Sequence, residues 1–138
     1  MSSPITHIQE QVIVQSGSGT SVADIGKWAP GYTPVIVKAL CVLVRVVPSC
    51  AGVVSLEKRV TLQSDSSRVV LLCVAIPNAA AAGKVYYAYM ASGVKVSPGD
   101  ELVAKVTDAM GTDAVVDVVV VVDPSFETPA ANSDMVAA

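Results

Sequence analysis

The sequence predicts an all-β chain, a jelly-roll-like antiparallel β-sandwich of about eight strands with extended termini. Three observations lead there. Valine fills roughly a fifth of the 138 positions and comes in runs, VIVKALCVLVRVV at 35–47, RVVLLCVAI at 68–76 and AVVDVVVVV at 114–122. A β-branched side chain is stiff at χ1 and packs well on a pleated surface. Turn signals built from Gly, Pro, Asn, Asp and Ser separate these runs at intervals of about 8 to 14 residues, as in sandwiches and jelly rolls. No stretch shows the apolar spacing of a long amphipathic helix.

The elements follow in order. ITHIQEQVIVQ at 5–15 alternates well enough for a first strand, and GSGTS at 17–21 reads as a flexible turn or hinge. VADIGKW at 22–28 holds a short strand or a helical turn, followed by the loop APGYTP at 29–34, in which Trp28 and Tyr32 flank APG. The run 35–47 is apolar on both faces, as a central strand covered on each side would be. Lys38 and Arg45 sit in it at opposite parity, so either its surroundings change along its length or a bulge shifts its register. VVSLEKRVTL at 53–62 alternates cleanly: Val54, Leu56, Val60 and Leu62 are expected inside, and Ser55, Glu57, Arg59 and Thr61 outside.

After the polar turn QSDSS, 68–76 reads as a strand buried on both faces and closed by Pro77. KVYYAYMAS at 84–92 is a strand with Tyr87 and Tyr89 facing opposite to Tyr86. SPGD at 97–100 is a turn, with Pro fixing φ at its second position. ELVAKVTD at 101–108 turns Leu102, Ala104 and Val106 inward, AMGT at 109–112 is a second turn, and 113–122 is the last strand. Residues 1–34 form an N-terminal arm, first strand and loop packed on the same domain. Residues 35–123 form the sandwich core, and 124–138 a flexible C-terminal tail of small and polar residues.

The last strand is the most telling. Ala114, Val116, Val118, Val120 and Val122 line the core, which leaves Val115, Val119 and Val121 among Asp113, Asp117 and Asp123 on the opposite face. Each large apolar side chain left wet forgoes roughly 1.5–3 kcal/mol of burial. That face is therefore expected either under a neighbouring segment of the same chain or at a contact between subunits. Trp28 and Tyr32 either cap the core or anchor an interface. The interface candidates are Trp28, Tyr32, Val115, Val119 and Val121.

Composition narrows the function classes. Charged residues are only 15% of the chain and the net charge is −3, with Lys and Arg scattered singly. A nucleic-acid surface needs them clustered, so none is expected. No apolar run reaches the roughly 18 to 20 residues that span a bilayer, and the N-terminus lacks the pattern of a signal peptide, so a soluble, cytosolic start is expected. Cys41 and Cys73 read as small buried hydrophobes and Cys50 as a loop thiol, all reduced. His7 is the one histidine and has no ligand or nucleophile pattern beside it. Asp108 and Asp113 beside the MGT turn read as solvated carboxylates rather than a calcium site. The expectation is no enzyme, no cofactor, no metal site and no small-molecule substrate.

The stretch KVYYAYMASGVKVSPGDELVAKVTDAMGTDAVVDVVVVVDPSFE resembles the C-terminal half of small β-sandwich head cement (decoration) proteins and related minor virion proteins of tailed bacteriophages. Pro98, Gly99, Asp100, Glu101, Val106, Thr107, Asp108, Ala109 and Gly111 carry the likeness, which covers about a third of the chain closely. The resemblance implies a virion structural protein made in the host cytoplasm. It would form a dimer or trimer with itself and clamp neighbouring major capsid protein subunits on the outer head surface. Two other readings remain at this point. One is a carbohydrate- or receptor-binding sandwich module of a fibre, using Trp28, Tyr86, Tyr87 and Tyr89. The other is a self-assembling coat protein, against which stands an N-terminal arm with no Lys or Arg before Lys27.

Overall fold

A computed structural model describes residues 11–60 and 68–125. Eight strands form: β1 (Gln11–Ser18), β2 (Ala23–Trp28), β3 (Val35–Val46), β4 (Gly52–Val60), β5 (Val69–Ile76), β6 (Val85–Val96), β7 (Asp100–Asp108) and β8 (Val115–Pro124). They make two four-stranded antiparallel sheets. The first has the order β1-β8-β3-β6 and the second β2-β7-β4-β5. Every connection crosses from one sheet to the other except β4 to β5, which is the jelly-roll path. No helix occurs among the described residues.

Alternation of apolar side chains builds the core between the sheets. Val35, Val37, Leu40, Val42 and Val44 of β3 meet Val54 and Leu56 of β4, and β8 contributes Val116, Val118, Val120 and Val122, all buried. Leu102, Ala104 and Val106 of β7 complete the inner layer, as their parity predicts.

The inward parity of β3 switches from odd to even between Val37 and Leu40, and the switch has a visible cause. The strand's pairing slips at Val37/Ala39 and again at Val44/Val46, so Lys38 and Arg45 each sit in a bulge. Each bulge turns its cation to the outer face, where Lys38 pairs with Asp123 (3.8 Å) and Arg45 with Asp117 (3.0 Å). A bulge absorbs one extra residue and re-aims one side chain, and that is how two charges fit inside an otherwise apolar strand. Opposite the first bulge, β6 runs on through Gly93 at φ +72° instead of ending near 92. A Cβ at Gly93 would also lie 3.2 Å from the Val37 carbonyl oxygen.

Four expectations are corrected by the structure. First, β5 is not buried on both faces. It is the edge strand of the second sheet, with Val69, Val70, Cys73 and Ala75 exposed. Second, Cys41 is half-buried on the outer face and Cys73 is exposed, so neither is a core residue. Third, Ser55 and Glu57 point outward yet are buried, while Val60 is exposed, because the β4–β5 pairing slips at Leu56/Glu57 and Arg68 lies over Glu57. Thr61 and Leu62 lie outside the described residues. Fourth, GSGTS is pinned: Gly17 and Ser18 end β1, and the buried Gly19 donates to the Ala114 carbonyl (2.8 Å) and accepts from the Met110 amide (2.8 Å).

The SPGD turn forms as expected, with Asp100 N–H donating to Ser97 C=O at 2.9 Å and Gly99 at φ +98°.

Candidate functional site

The two outer faces differ in kind. The second sheet's outer face carries ion pairs. Arg68 donates two hydrogen bonds to the Asp24 carboxylate (2.8 and 3.0 Å) and one to Glu57 (3.4 Å), while Arg59 pairs with Glu101. The shallow depression around Asp24, Glu57, Arg68 and Lys105 is lined, among the described residues, by Val22 and Ala23 as well.

The hydrogen bonds from Arg68 hold the Asp24 carboxyl below its ordinary value of 3.8, against a smaller desolvation effect that raises it. A lowered folded-state pKa contributes stability that is complete above the unfolded value and is lost as pH falls through the folded one. Part of the chain's acid sensitivity should therefore lie below about pH 4 and disappear in Arg68→Met. Urea midpoints at about pH 5 and about pH 2.5 would show it: the native chain should lose more on acidification than the variant does.

The first sheet's outer face shows two apolar rows that run across the strands and a third that is half polar. One row is Val14, Val119, Cys41 and Tyr87. The next contains Val121, Ala39 and Tyr89. The third is Ser16, Asp117, Leu43 and Val85. Tyr89 is 71%, Val14 60% and Tyr87 58% exposed, and no described element covers them. The two tyrosine rings lie 5.0 Å apart at 52°. Burial among these neighbours pushes the Cys41 thiol upward, so it stays protonated.

Within the rows the one carboxylate, Asp117, is bound by Arg45 and by the Ser16 hydroxyl. The three rows, about five residues long across four strands about 4.8 Å apart, cover on the order of 300 Å² of flat area. Open apolar patches on soluble monomers rarely pass a few hundred Å².

The five interface candidates do not form one patch. Val119 and Val121 lie half-buried near the centre of this face, and Val115 lies at its far end against Val46. Trp28 and Tyr32 lie at the opposite end, where they line a hollow with Pro30, Thr33, Val35 and Pro124. Trp28 also packs on the core, beside a cavity of about 170 Å³ between β1 and β2, whereas Tyr32 is fully exposed.

Sequence reasoning missed Val14, Leu43, Val85, Tyr87 and Tyr89 as members of the same surface as Val119. The parity of Tyr87 and Tyr89 was readable. That β6 and β8 flank β3 was not, because pairing between distant strands leaves no local mark.

No protein-family model and no curated protein matches the chain. Among solved structures it is similar to murine APRIL, in a crystal structure at pH 5.0, at 10% identity and a TM-score of 0.37, over 79% of this chain and 98% of that one. It is also similar to a chain in the structure of infectious bursal disease virus, Gx strain, at 9% identity and a TM-score of 0.39, over 83% of this chain and 32% of that one.

Proposed function

We propose that this protein is a non-enzymatic building part of a virion, a cement or decoration protein that associates with itself and clamps neighbouring major capsid subunits on the outer head surface. The observation that carries the reading is the contrast between the two sheets. The second sheet's outer face is laced with ion pairs around Arg59 and Arg68; the first carries two ion pairs, Lys38–Asp123 and Arg45–Asp117, beside exposed Val14, Val85, Tyr87 and Tyr89 on its two edge strands. A protein that works alone gains nothing from such a face and risks aggregation. A protein that works in many copies gains a contact whose small individual free energy is multiplied by the number of copies. The likeness of 84–127 to phage head cement proteins supports the capsid as the surface clamped. In the depression on the second sheet, Arg68 binds the carboxylates of both Asp24 and Glu57, which supports a structural role for these charges.

The test is addition of the purified chain to expanded phage heads that lack it. Saturable binding and a higher bursting temperature are expected. Heads that take up none of the protein, at concentrations up to about a thousand times a nanomolar Kd, contradict the reading. Electron microscopy of the chain expressed alone separates it from a coat protein, which would close into shells.

A further inference from the structure

β1 and β2 are the edge strands of the two sheets on one side of the sandwich, and no ladder joins them. They meet at one end, where Ile25 packs so closely on Gly17 that a Cβ there would lie 2.6 Å from Ile25 Cγ2. Farther along they part around the cavity of about 170 Å³. Its cause lies in the inner layer. Gly26 and Ala104 are cross-strand partners at inward parity, beside Leu56, so two small residues stand together where a packed core needs large ones. On the facing sheet Ile13 pairs with Val120 and Gln15 with Val118, also inward, and the space between the two layers stays open.

We propose that this cavity is a binding site for a neutral molecule built on a single aromatic ring, which enters between β1 and β2 and packs against the Trp28 indole. The walls select for such a molecule. Ile13, Trp28, Leu56, Leu102, Val118 and Val120 are apolar, so water finds too few polar partners to stay. An apolar void of about 150 Å³ remains dry and takes up benzene, which sets the size of the guest. Trp28 makes the guest aromatic, because two rings attract each other beyond the area they bury. Lys27 meets the cavity from the outward parity of β2, opposite to Gly26 and Trp28, so an anionic guest gains little from it. The entrance is guarded by one exposed side chain. The stem of Gln15 lies over Gly26, where a Cβ would come within 2.6 Å of Gln15 Cγ, and its amide donates to the neighbouring Ser16 carbonyl (3.1 Å). A rotamer change at Gln15 opens the way without moving either strand. The site is a binding pocket and not a reaction centre, and it does not depend on what the outer faces of the sheets touch.

The chain carries its own reporter. Trp28 is its only tryptophan and lines the cavity, so its emission follows occupancy. Iodobenzene quenches an indole that its heavy atom touches. Titrated into the native chain it should quench Trp28 saturably, with a Kd of about 1 mM or tighter. Benzene, which lacks the heavy atom, should compete and restore the emission. Ala104→Val places two more carbons in the void. It should weaken iodobenzene binding about tenfold or more and, with no ligand present, raise the urea midpoint of unfolding. The second readout separates a void from a filled core, since extra carbons in a filled core lower stability.

Quenching that rises linearly without saturating, or that benzene leaves unchanged, overturns the proposal, because the probe then meets Trp28 only by collision. So does an Ala104→Val chain that binds iodobenzene like the native one. A lowered midpoint, or a variant that does not fold, also overturns it, because the space beside Ala104 is then already full. The head-binding test stands apart: heads that take up none of the protein remove the cement reading and leave this site untouched.

Discussion

Leu40→Ala should cost about 3 kcal/mol of stability and lower the unfolding midpoint by roughly 10 °C. Leu40 is fully buried at the centre of β3, itself flanked by β8 and β6 in the first sheet. It pairs with Val120 on one side and Ala88 on the other, and its side chain fills the layer between the sheets. Removing three carbons there loses their transfer free energy and leaves a void, because paired strands on both flanks cannot close in. The comparison is Cys41→Ala, one residue along and on the outer face, where half-burial predicts a loss of less than about 1 kcal/mol in the single chain. Denaturant melts at matched concentration measure both. Equal losses at the two positions would mean that β3 does not present Leu40 to the core.

Arg68→Met should cost nearly as much, about 3 kcal/mol, for a different reason. The Arg68 side chain is 10% exposed and that of Glu57 9%, so the pair is almost out of water. Taking away the guanidinium leaves the Glu57 carboxylate buried without this partner, whereas Asp24, a third exposed, can hydrate. Removing one member of a buried pair is far more costly than removing both. Arg68→Met combined with Glu57→Leu should therefore regain more than half of the loss in a urea melt. If the double variant is less stable than Arg68→Met, the pair is not the source of the loss.

Much of the fold is legible in the sequence because a sandwich strand reports its own two faces. The period of two along 114–122 places Val116, Val118, Val120 and Val122 inside, where they are. The opposite parity of Lys38 and Arg45 points either to a change of surroundings or to a shift in register, and the structure contains a bulge at each. What the sequence does not carry is which strands are neighbours. The run 68–76 reads as buried on both faces, because an apolar strand at an edge and one at a sheet centre have the same composition; β5 is at the edge. Glu57 reads as solvated because nothing in its own strand shows that Arg68, just before β5, covers it. The candidate surface was half legible for the same reason. Val119 and Val121 are marked by their own strand, but Tyr87, Tyr89 and Val14 join them only through the order β1-β8-β3-β6.

The claim on which the functional account turns is that this chain associates with itself. Sedimentation equilibrium of the native protein and of Val119→Asp, from about 1 to about 200 µM, tests it most directly, since Val119 lies in the middle of the first sheet's outer face and half-exposed. The native chain should sediment as a closed assembly whose mass is a small multiple of 14.1 kDa, and the variant as a folded single chain. A native chain that sediments at 14.1 kDa over the whole range would contradict the account.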